Sequence, residues 1–144
     1  MSLYSQRLSI LKKELSIEIQ KRKKKKKKFT HNQLVMIDFV NGVTKEAFFV
    51  IKDMNIILRK GDDNKGFKHI IQRHYCSGCN GELSMLDILN FDLFLQRAIK
   101  LTNEGVTNNK LEVFQYIKGL KNYKIILKNE SKNRFVVTFY SVGK

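Results

Sequence analysis

Hydrophobic side chains near the start of the chain recur every three or four residues. This spacing predicts a helix over residues 3 to 19 with one apolar stripe. The stripe consists of Leu8, Leu11, Leu15 and Ile19. A run of eight cations, residues 21 to 28, follows directly. Because like charges four positions apart repel each other on a helix, we expect the helix to fray there into a solvated linker.

From residue 34 onward the hydrophobic period shortens to two, which is the period of a strand with one buried face. Runs rich in Val, Ile, Phe and Met alternate with turn-forming residues, so the pattern predicts a meander over residues 34 to 40, 46 to 51 and 56 to 58. Residues 123 to 127 and 135 to 142 flank a polar link and predict a hairpin. Residues 111 to 117 fit both periods, and we favour a strand.

Alternation along the last predicted strand divides its side chains between two faces. One face would carry Val136, Thr138, Tyr140 and Val142, and the other Phe135, Val137, Phe139 and Ser141. The hydroxyls of Thr138 and Tyr140 would therefore point the same way.

Two helices are predicted between the two groups of strands. A polar, glycine-flanked break at residues 61 to 66 leads into a short helix over residues 66 to 74. A capping box formed by Ser84 and Asp87 predicts the start of a longer helix, residues 84 to 103. Apolar residues surround this longer helix on nearly all sides, so we expect it to be buried on more than one face.

These elements predict a single domain of the α+β class. Its mainly antiparallel sheet would pack with an N-terminal helix, a short histidine-bearing helix and a long buried helix. The length of 144 residues suits one ordinary domain, and hydrophobic residues, at 42% of the chain, suffice for a core.

The charge of the chain indicates a polyanionic partner. The formal charge is +15, and leaving out the eight cations of residues 21 to 28 lowers it to +7. A basic excess spread over a whole domain suits nucleic acid first, and an anionic membrane surface less simply. The cationic run itself is more typical of a charged linker or helix end than of a dedicated binding motif, although it would add non-specific attraction to phosphates.

Neither a membrane-spanning segment nor an apolar signal core is present in the sequence. Cys76 and Cys79 are the two cysteines, which gives no disulfide framework and fits a reducing compartment. We therefore predict a cytoplasmic protein whose cysteines pack or remain free, with no membrane partner. The sequence does not indicate an oligomeric state.

The short helix concentrates the residue types that acid–base chemistry needs. At 100° per residue, Phe67, Ile70, Ile71 and His74 share one face, whereas His69 and Arg73 point outward together. Histidines transfer protons near neutral pH, and cations or hydroxyls stabilise the charge that grows on a phosphate during RNA cleavage. The candidates are His69 and His74 for proton transfer, Arg73, Lys68 and Lys65 for phosphate, and Thr138 and Tyr140 as hydrogen-bond donors. The alternative is that His74 is a satisfied core residue and that the cations are only solvated.

A metal site is the competing interpretation of this region. Cys76 and Cys79 have the spacing of a zinc knuckle, and a histidine from the short helix could add a further ligand. A second well-separated ligand pair is missing, however, and His69 and His74 differ by five positions, which turns them to different sides of a helix. We therefore predict no metal and no other cofactor.

The segment Lys-His-Ile-Ile-Gln-Arg-His at residues 68 to 74, followed by a hydrophobic helix and by Phe-Val-Val-Thr-Phe-Tyr at residues 135 to 140, resembles phage-associated nucleases of the barnase, EndoU, colicin and RelE superfamily. The resemblance spans residues 34 to 142. It implies a small metal-independent RNase domain over residues 29 to 144, preceded by the amphipathic helix and polylysine run of residues 1 to 28.

Several functional expectations follow from the resemblance. Its active site would lie between the histidine helix and the sheet. A toxin or effector role in a phage or mobile element would follow, with RNA as substrate and an immunity protein or antitoxin as partner. Such a protein acts in the cytoplasm, or is delivered into a target cell or with a phage particle. The alternative function is a non-catalytic, basic nucleic-acid-binding module, with or without a zinc site at Cys76 and Cys79.

Overall fold

The computed structural model describes residues 2 to 101 and 110 to 142. Within these residues it contains five helices and six strands. The helices are α1 (Leu3–Lys25), α2 (His31–Val40), α3 (Phe67–His74), α4 (Met85–Leu89) and α5 (Phe91–Arg97). The strands are β1 (Glu46–Ile51), β2 (Met54–Arg59), β3 (Ile99–Leu101), β4 (Leu111–Lys118), β5 (Lys121–Glu130) and β6 (Asn133–Val142).

The six strands form one sheet in the order β1-β2-β6-β5-β4-β3. Every neighbouring pair is antiparallel except β2 and β6, which run parallel over a short register from Asn55 opposite Asn133 to Ile57 opposite Phe135. The predicted α+β class with a mainly antiparallel sheet is confirmed. So are the strand at residues 111 to 117 and the C-terminal hairpin.

The hydrophobic core lies between one face of the sheet and the helices. Leu11 and Leu15 of α1 are completely or almost completely buried in it, and Leu8 and Ile19 pack at its edge, which confirms the predicted stripe. Strand residues such as Phe49 join the same core. Among the described residues, the opposite face of the sheet carries no member of this core.

Residues 34 to 40 belong to a helix, and the prediction of a strand there was wrong. Thr30 and Gln33 form a capping box: Gln33 N donates to Thr30 Oγ1, and Thr30 N donates to Gln33 Oε1. This cap fixes the start of α2. Met36, Ile37 and Val40 are buried at helical spacing. A short apolar run fits a helix as well as a strand, and here the cap favours the helix.

The single long helix predicted over residues 84 to 103 was also wrong. Its predicted start is confirmed, since Ser84 and Asp87 form the capping box of α4. The helix ends at Asn90, and α5 follows and ends at Ala98, whose backbone is extended. From Ile99 the chain forms the edge strand β3 against β4, because a strand there completes the backbone hydrogen bonds of the sheet. Residues 102 and 103 lie outside the described part.

The cationic run does not begin as a frayed linker. Helix α1 continues to Lys25 and ends where Lys26 adopts a left-handed conformation with φ 56°. Arg22 explains this persistence, because it pairs with Glu18 one turn earlier, at 3.0 Å, and its guanidinium lies over the ring of Phe29. Cations in the last turn also interact favourably with the helix dipole.

A bulge changes the predicted alternation of β6. On β5, Ile126 pairs with Thr138 of β6, and the next residue, Leu127, pairs with Val136. Val137 is therefore an extra residue of β6 that has no partner on β5. As a result Val136 faces the core, as Phe139 does, whereas Phe135 lies on the same face as Thr138 and Tyr140. The prediction that Thr138 and Tyr140 share a face holds, but the assignment of Phe135 and Val136 was wrong.

We expect Asp87→Ala to lower the free energy of unfolding by about 1–3 kcal/mol, the usual cost of leaving a buried polar group without its partner. Asp87 Oδ1 accepts a hydrogen bond from the buried Tyr123 hydroxyl at 2.9 Å, and Oδ2 accepts one from Ser84 N at 2.9 Å. Burial and the nearby Asp87 carboxylate raise the pKa of Tyr123, so its hydroxyl remains a donor. Urea unfolding measures the loss. Asp38→Ala, at an exposed position of α2, should have little effect; equal losses would contradict the assignment.

Candidate active site

Helix α3 lies along the part of β6 that β2 leaves unpaired. The parallel register of β2 and β6 ends at Phe135. Beyond it, Gly66 N donates to Val137 O at 2.8 Å, and Ser141 N donates to Gly81 O at 3.2 Å. The residues on either side of α3 therefore complete the hydrogen bonds of this strand edge, and the helix is held beside the far end of β6.

The five residues predicted as catalytic from the sequence line one open cleft. Its volume is about 460 Å³, and its walls come from α3, the loop after it and β6. The lining residues are His69, Arg73, His74, Asn80, Gly81, Thr138, Tyr140, Ser141 and Val142. Side chains separated by more than 60 positions in the sequence thus meet at one site.

His74 is fixed by a hydrogen bond and by a stacked ring. Its Nδ1 lies 2.9 Å from the backbone oxygen of Asn80, and its ring stacks on Tyr140 with 5.4 Å between centroids. A carbonyl oxygen only accepts hydrogen bonds, so Nδ1 must carry the proton in the neutral imidazole. The other nitrogen, Nε2, is then the atom that can take up a proton.

His69 is held in a similar way from the other end of the helix. Its Nδ1 lies 2.9 Å from the backbone oxygen of Asp63, which again leaves Nε2 for proton transfer. The rings of His69 and His74 lie edge to face with 5.7 Å between their centroids. Two imidazoles with the same tautomer therefore stand side by side in the cleft.

The pKa of His74 is lower than the ordinary 6.5, chiefly because the ring is partly buried. The hydrogen bond to Asn80 raises the pKa, and the charges of His69 and Arg73 lower it further. The net effect favours the neutral form at pH 7. A neutral imidazole can accept a proton, so His74 is suited to act as a general base.

We expect NMR long-range proton–nitrogen spectra to show His74 as the Nδ1-protonated tautomer with a pKa below 6.5. Because this pKa is lowered on folding, the unfolded chain binds the proton more readily, so stability is complete above the unfolded pKa and falls as the pH drops through and below it. Urea unfolding between pH 5 and 7.5 tests the sign. An Nε2-protonated ring, or a pKa above 6.5, would contradict the geometry.

The three predicted cations occupy different places. Arg73 is exposed and lines the cleft, and none of the described carboxylates forms an ion pair with it. Lys68 is paired with Asp63 at 3.2 Å and is not among the residues that line the cleft. Lys65 lines a neighbouring pocket. Arg73 is therefore the cation that can reach a ligand between the histidines.

Thr138 brings a hydroxyl without a partner to the cleft. The residue is 8% exposed, and its Oγ1 has no hydrogen-bond partner among the described atoms. A buried hydroxyl without a hydrogen bond lowers the stability of a fold by about 1–3 kcal/mol. Such groups are rare in folded proteins, and a functional role is one explanation for them. Rotation of the Thr138 side chain about χ1 would turn this buried hydroxyl towards the cleft, where a ligand oxygen would be its partner.

The loop after α3 contains the site residues that the sequence did not reveal. Asn80 acts through its backbone oxygen, which no side-chain pattern can indicate. Gly81 lies against His74, since a Cβ added there would be 2.6 Å from Nδ1. In the sequence, Gly81 was indicated only as part of a turn-rich stretch. Ser141 clips the loop to β6, because its hydroxyl donates to Glu82 O.

The two cysteines form a disulfide, so the prediction that they pack or remain free was wrong. Gly78 has a positive φ of 80° and turns the chain between them, which brings the Cα atoms of Cys76 and Cys79 to 5.7 Å, an ordinary separation for a disulfide. The bond closes residues 76 to 79 into a small ring immediately before Asn80 and Gly81. In this form the sulfurs are not available as zinc ligands.

No group of three or more His, Cys, Asp or Glu side chains is arranged to hold a metal ion in residues 2 to 101 and 110 to 142. Over the same residues, no helix has the length and apolar character needed to cross a membrane. Comparisons with family models, with curated proteins and with solved structures gave no match.

Proposed function

We propose that this protein is a metal-independent endoribonuclease that cleaves RNA by transesterification at the 2′-hydroxyl. The observation that supports it best is the pair of Nδ1-anchored imidazoles, 5.7 Å apart in one cleft with Arg73 and Thr138. Each imidazole has one ring nitrogen left for proton transfer. Two such groups within hydrogen-bond reach of one phosphodiester are what this reaction requires.

The environment of His74 gives it the role of the base, and His69 is assigned the complementary role of the acid. His74, whose pKa is lowered, takes the proton of the 2′-hydroxyl through Nε2, and the 2′-oxygen attacks phosphorus. His69 in its charged form donates a proton to the departing 5′-oxygen as the phosphorus–oxygen bond breaks. Arg73 and the Thr138 hydroxyl stabilise the negative charge that grows on the non-bridging oxygens. The products are a 2′,3′-cyclic phosphate and a free 5′-hydroxyl.

The runner-up is a basic module that binds nucleic acid without cutting it. The packing of His74 against Gly81 and Tyr140 favours this alternative, because a well-packed histidine also serves a structural purpose. Its zinc-binding form would require reduction of the disulfide. The toxin or effector role, the immunity partner and action in the cytoplasm are parts of the first proposal and depend on RNA cleavage.

Incubation of the purified protein with pooled cellular RNA in EDTA should therefore give fragments that end in 2′,3′-cyclic phosphate, detectable by mass spectrometry. A 2′-deoxy substitution at a mapped scissile position should block that cut, because the attacking oxygen is gone. Undetectable cleavage in EDTA, or cleavage of a fully deoxy strand, would contradict the mechanism. Binding without cleavage would favour the runner-up.

A further inference from the structure

A second pocket lies next to the cleft on the same face of the sheet. Ile57, Phe135 and Lys128 are neighbours in the strand register, and the β6 bulge places Phe135 on the face of Thr138 and Tyr140. Because Val137 is the extra residue of the bulge, Phe135 and Thr138 lie opposite Lys128 and Ile126, which are two residues apart on β5, about 7 Å. A chain bound in the cleft and running along β6 towards Phe135 would therefore meet this pocket next.

The pocket combines an apolar floor with cationic walls. Its volume is about 170 Å³. The lining residues are Ile57, Arg59, Gly61, Lys65, Gly66, Lys128, Glu130, Phe135, Val136 and Val137. Sites for whole drug-sized ligands measure roughly 300–1,000 Å³, so this pocket fits one flat ring rather than a complete ligand.

Arg59 gives the pocket a planar surface. Its guanidinium lies over the Phe135 ring, 4.5 Å from the centroid, and its side chain remains 56% exposed although Nε pairs with Glu46. Unpaired bases stack on arginine planes as well as on aromatic rings. A base entering the pocket would continue the stack that Phe135 and Arg59 begin.

Lys65 supplies a charge for the accompanying phosphate. Lys128 is paired with Glu130 at 3.1 Å. No carboxylate in the described ranges forms an ion pair with Lys65, although the pKa of Glu130 across the pocket is lowered by Lys128 and, to a smaller degree, by the charge of Lys65. The loop holding Lys65 is tightly closed, since a Cβ on Gly61 would fall 2.1 Å from Lys65 O. The backbone of Lys65 is thereby fixed at the pocket wall.

We propose that this pocket binds the base of the nucleotide beside the scissile phosphate, with Lys65 on the adjoining phosphate, so that the substrate is single-stranded RNA. The inference rests on the proposed function. It adds a substrate class, because a base in a duplex is stacked and paired and cannot enter the pocket, whereas an unpaired base is free to do so.

The test uses a fluorescein-labelled 2′-O-methyl RNA oligonucleotide, which cannot be cleaved, and measures Kd by fluorescence anisotropy. The single strand should bind more tightly than the same strand in a duplex. Arg59→Lys keeps the positive charge but removes the planar guanidinium on which a base would stack. It should therefore raise the Kd for the single strand about 5-fold or more, the range expected for the loss of one stacked base. Arg97→Lys, an exposed arginine on α5, is the matched control and should leave Kd unchanged.

Lys65→Ala should weaken binding and lower the slope of log Kd against log salt by about 0.7 if one phosphate contact is lost, whereas Lys12→Ala on α1 should not. Equal affinity for strand and duplex, or Arg59→Lys matching Arg97→Lys, would overturn the pocket assignment. Because the probe is not cut, these outcomes are independent of catalysis. If the protein cleaves RNA but the Arg59 and Lys65 variants bind the probe normally, this inference alone is refuted. If these variants bind the probe weakly but the protein does not cleave RNA, only the proposed nuclease activity is refuted.

Discussion

Replacing His74 with Ala should lower the rate of RNA cleavage by about 100-fold to 10,000-fold, the usual effect of removing a group that transfers a proton in the transition state. The loss should appear in single-turnover assays at saturating RNA, because His74 acts on the chemical step in the proposed mechanism. His69→Ala should cause a loss in the same range, with the acid rather than the base removed.

His74→Asn separates chemistry from packing. The amide nitrogen of Asn can replace Nδ1 as the donor to Asn80 O, but the variant has no atom in place of Nε2. It should therefore keep more stability than His74→Ala and be equally inactive. His31→Ala removes a histidine from an exposed position on α2, outside the cleft, and should cleave at the normal rate. Full activity in His74→Asn would remove His74 from the mechanism.

The sequence was most informative where a local pattern and the tertiary structure favour the same element. The face of α3 that buries Phe67, Ile70 and Ile71 was readable from helical spacing, and so was the outward direction of His69 and Arg73. The terminal hairpin was equally readable. These two elements carry the five predicted catalytic residues, which explains how residues far apart in sequence could be grouped before the fold was known.

The errors arose where pairing or a cap decides between two equally good local patterns. Residues 34 to 40 have no strand neighbour, whereas Thr30 caps them as a helix. Ile99 becomes part of a strand only because β4 offers an edge. The β6 bulge depends on its partner strand, and the contact of Asn80 with His74 comes from the backbone. The cap of α2 was readable, because Thr30 and Gln33 have the spacing of a capping box. The other features depend on partner strands and backbone atoms, which residue spacing does not show.

Gly81→Ala should lower cleavage by at least about tenfold, because a misplaced catalytic group loses rate steeply with distance. The added Cβ would be 2.6 Å from His74 Nδ1, closer than such atoms approach, and 3.1 Å from Tyr140 Cβ, which is a tight contact. The imidazole must then move from Asn80 O, and its long-range proton–nitrogen signals should shift. A positive φ of 72° adds a backbone cost of about 1–2 kcal/mol, which lowers stability as well.

Gly78→Ala separates the effect of the Cβ contact with His74 from the backbone cost of placing alanine at a positive φ. Gly78 lies in the same loop with a φ of 80°, but a Cβ there has no atom within 4 Å. The two variants should therefore lose similar stability in urea unfolding, apart from the strain of the contact, while Gly78→Ala keeps nearly full cleavage and an unchanged His74 signal. If both variants cut RNA equally well, the position of the His74 ring does not limit the reaction, and its assignment as the general base fails.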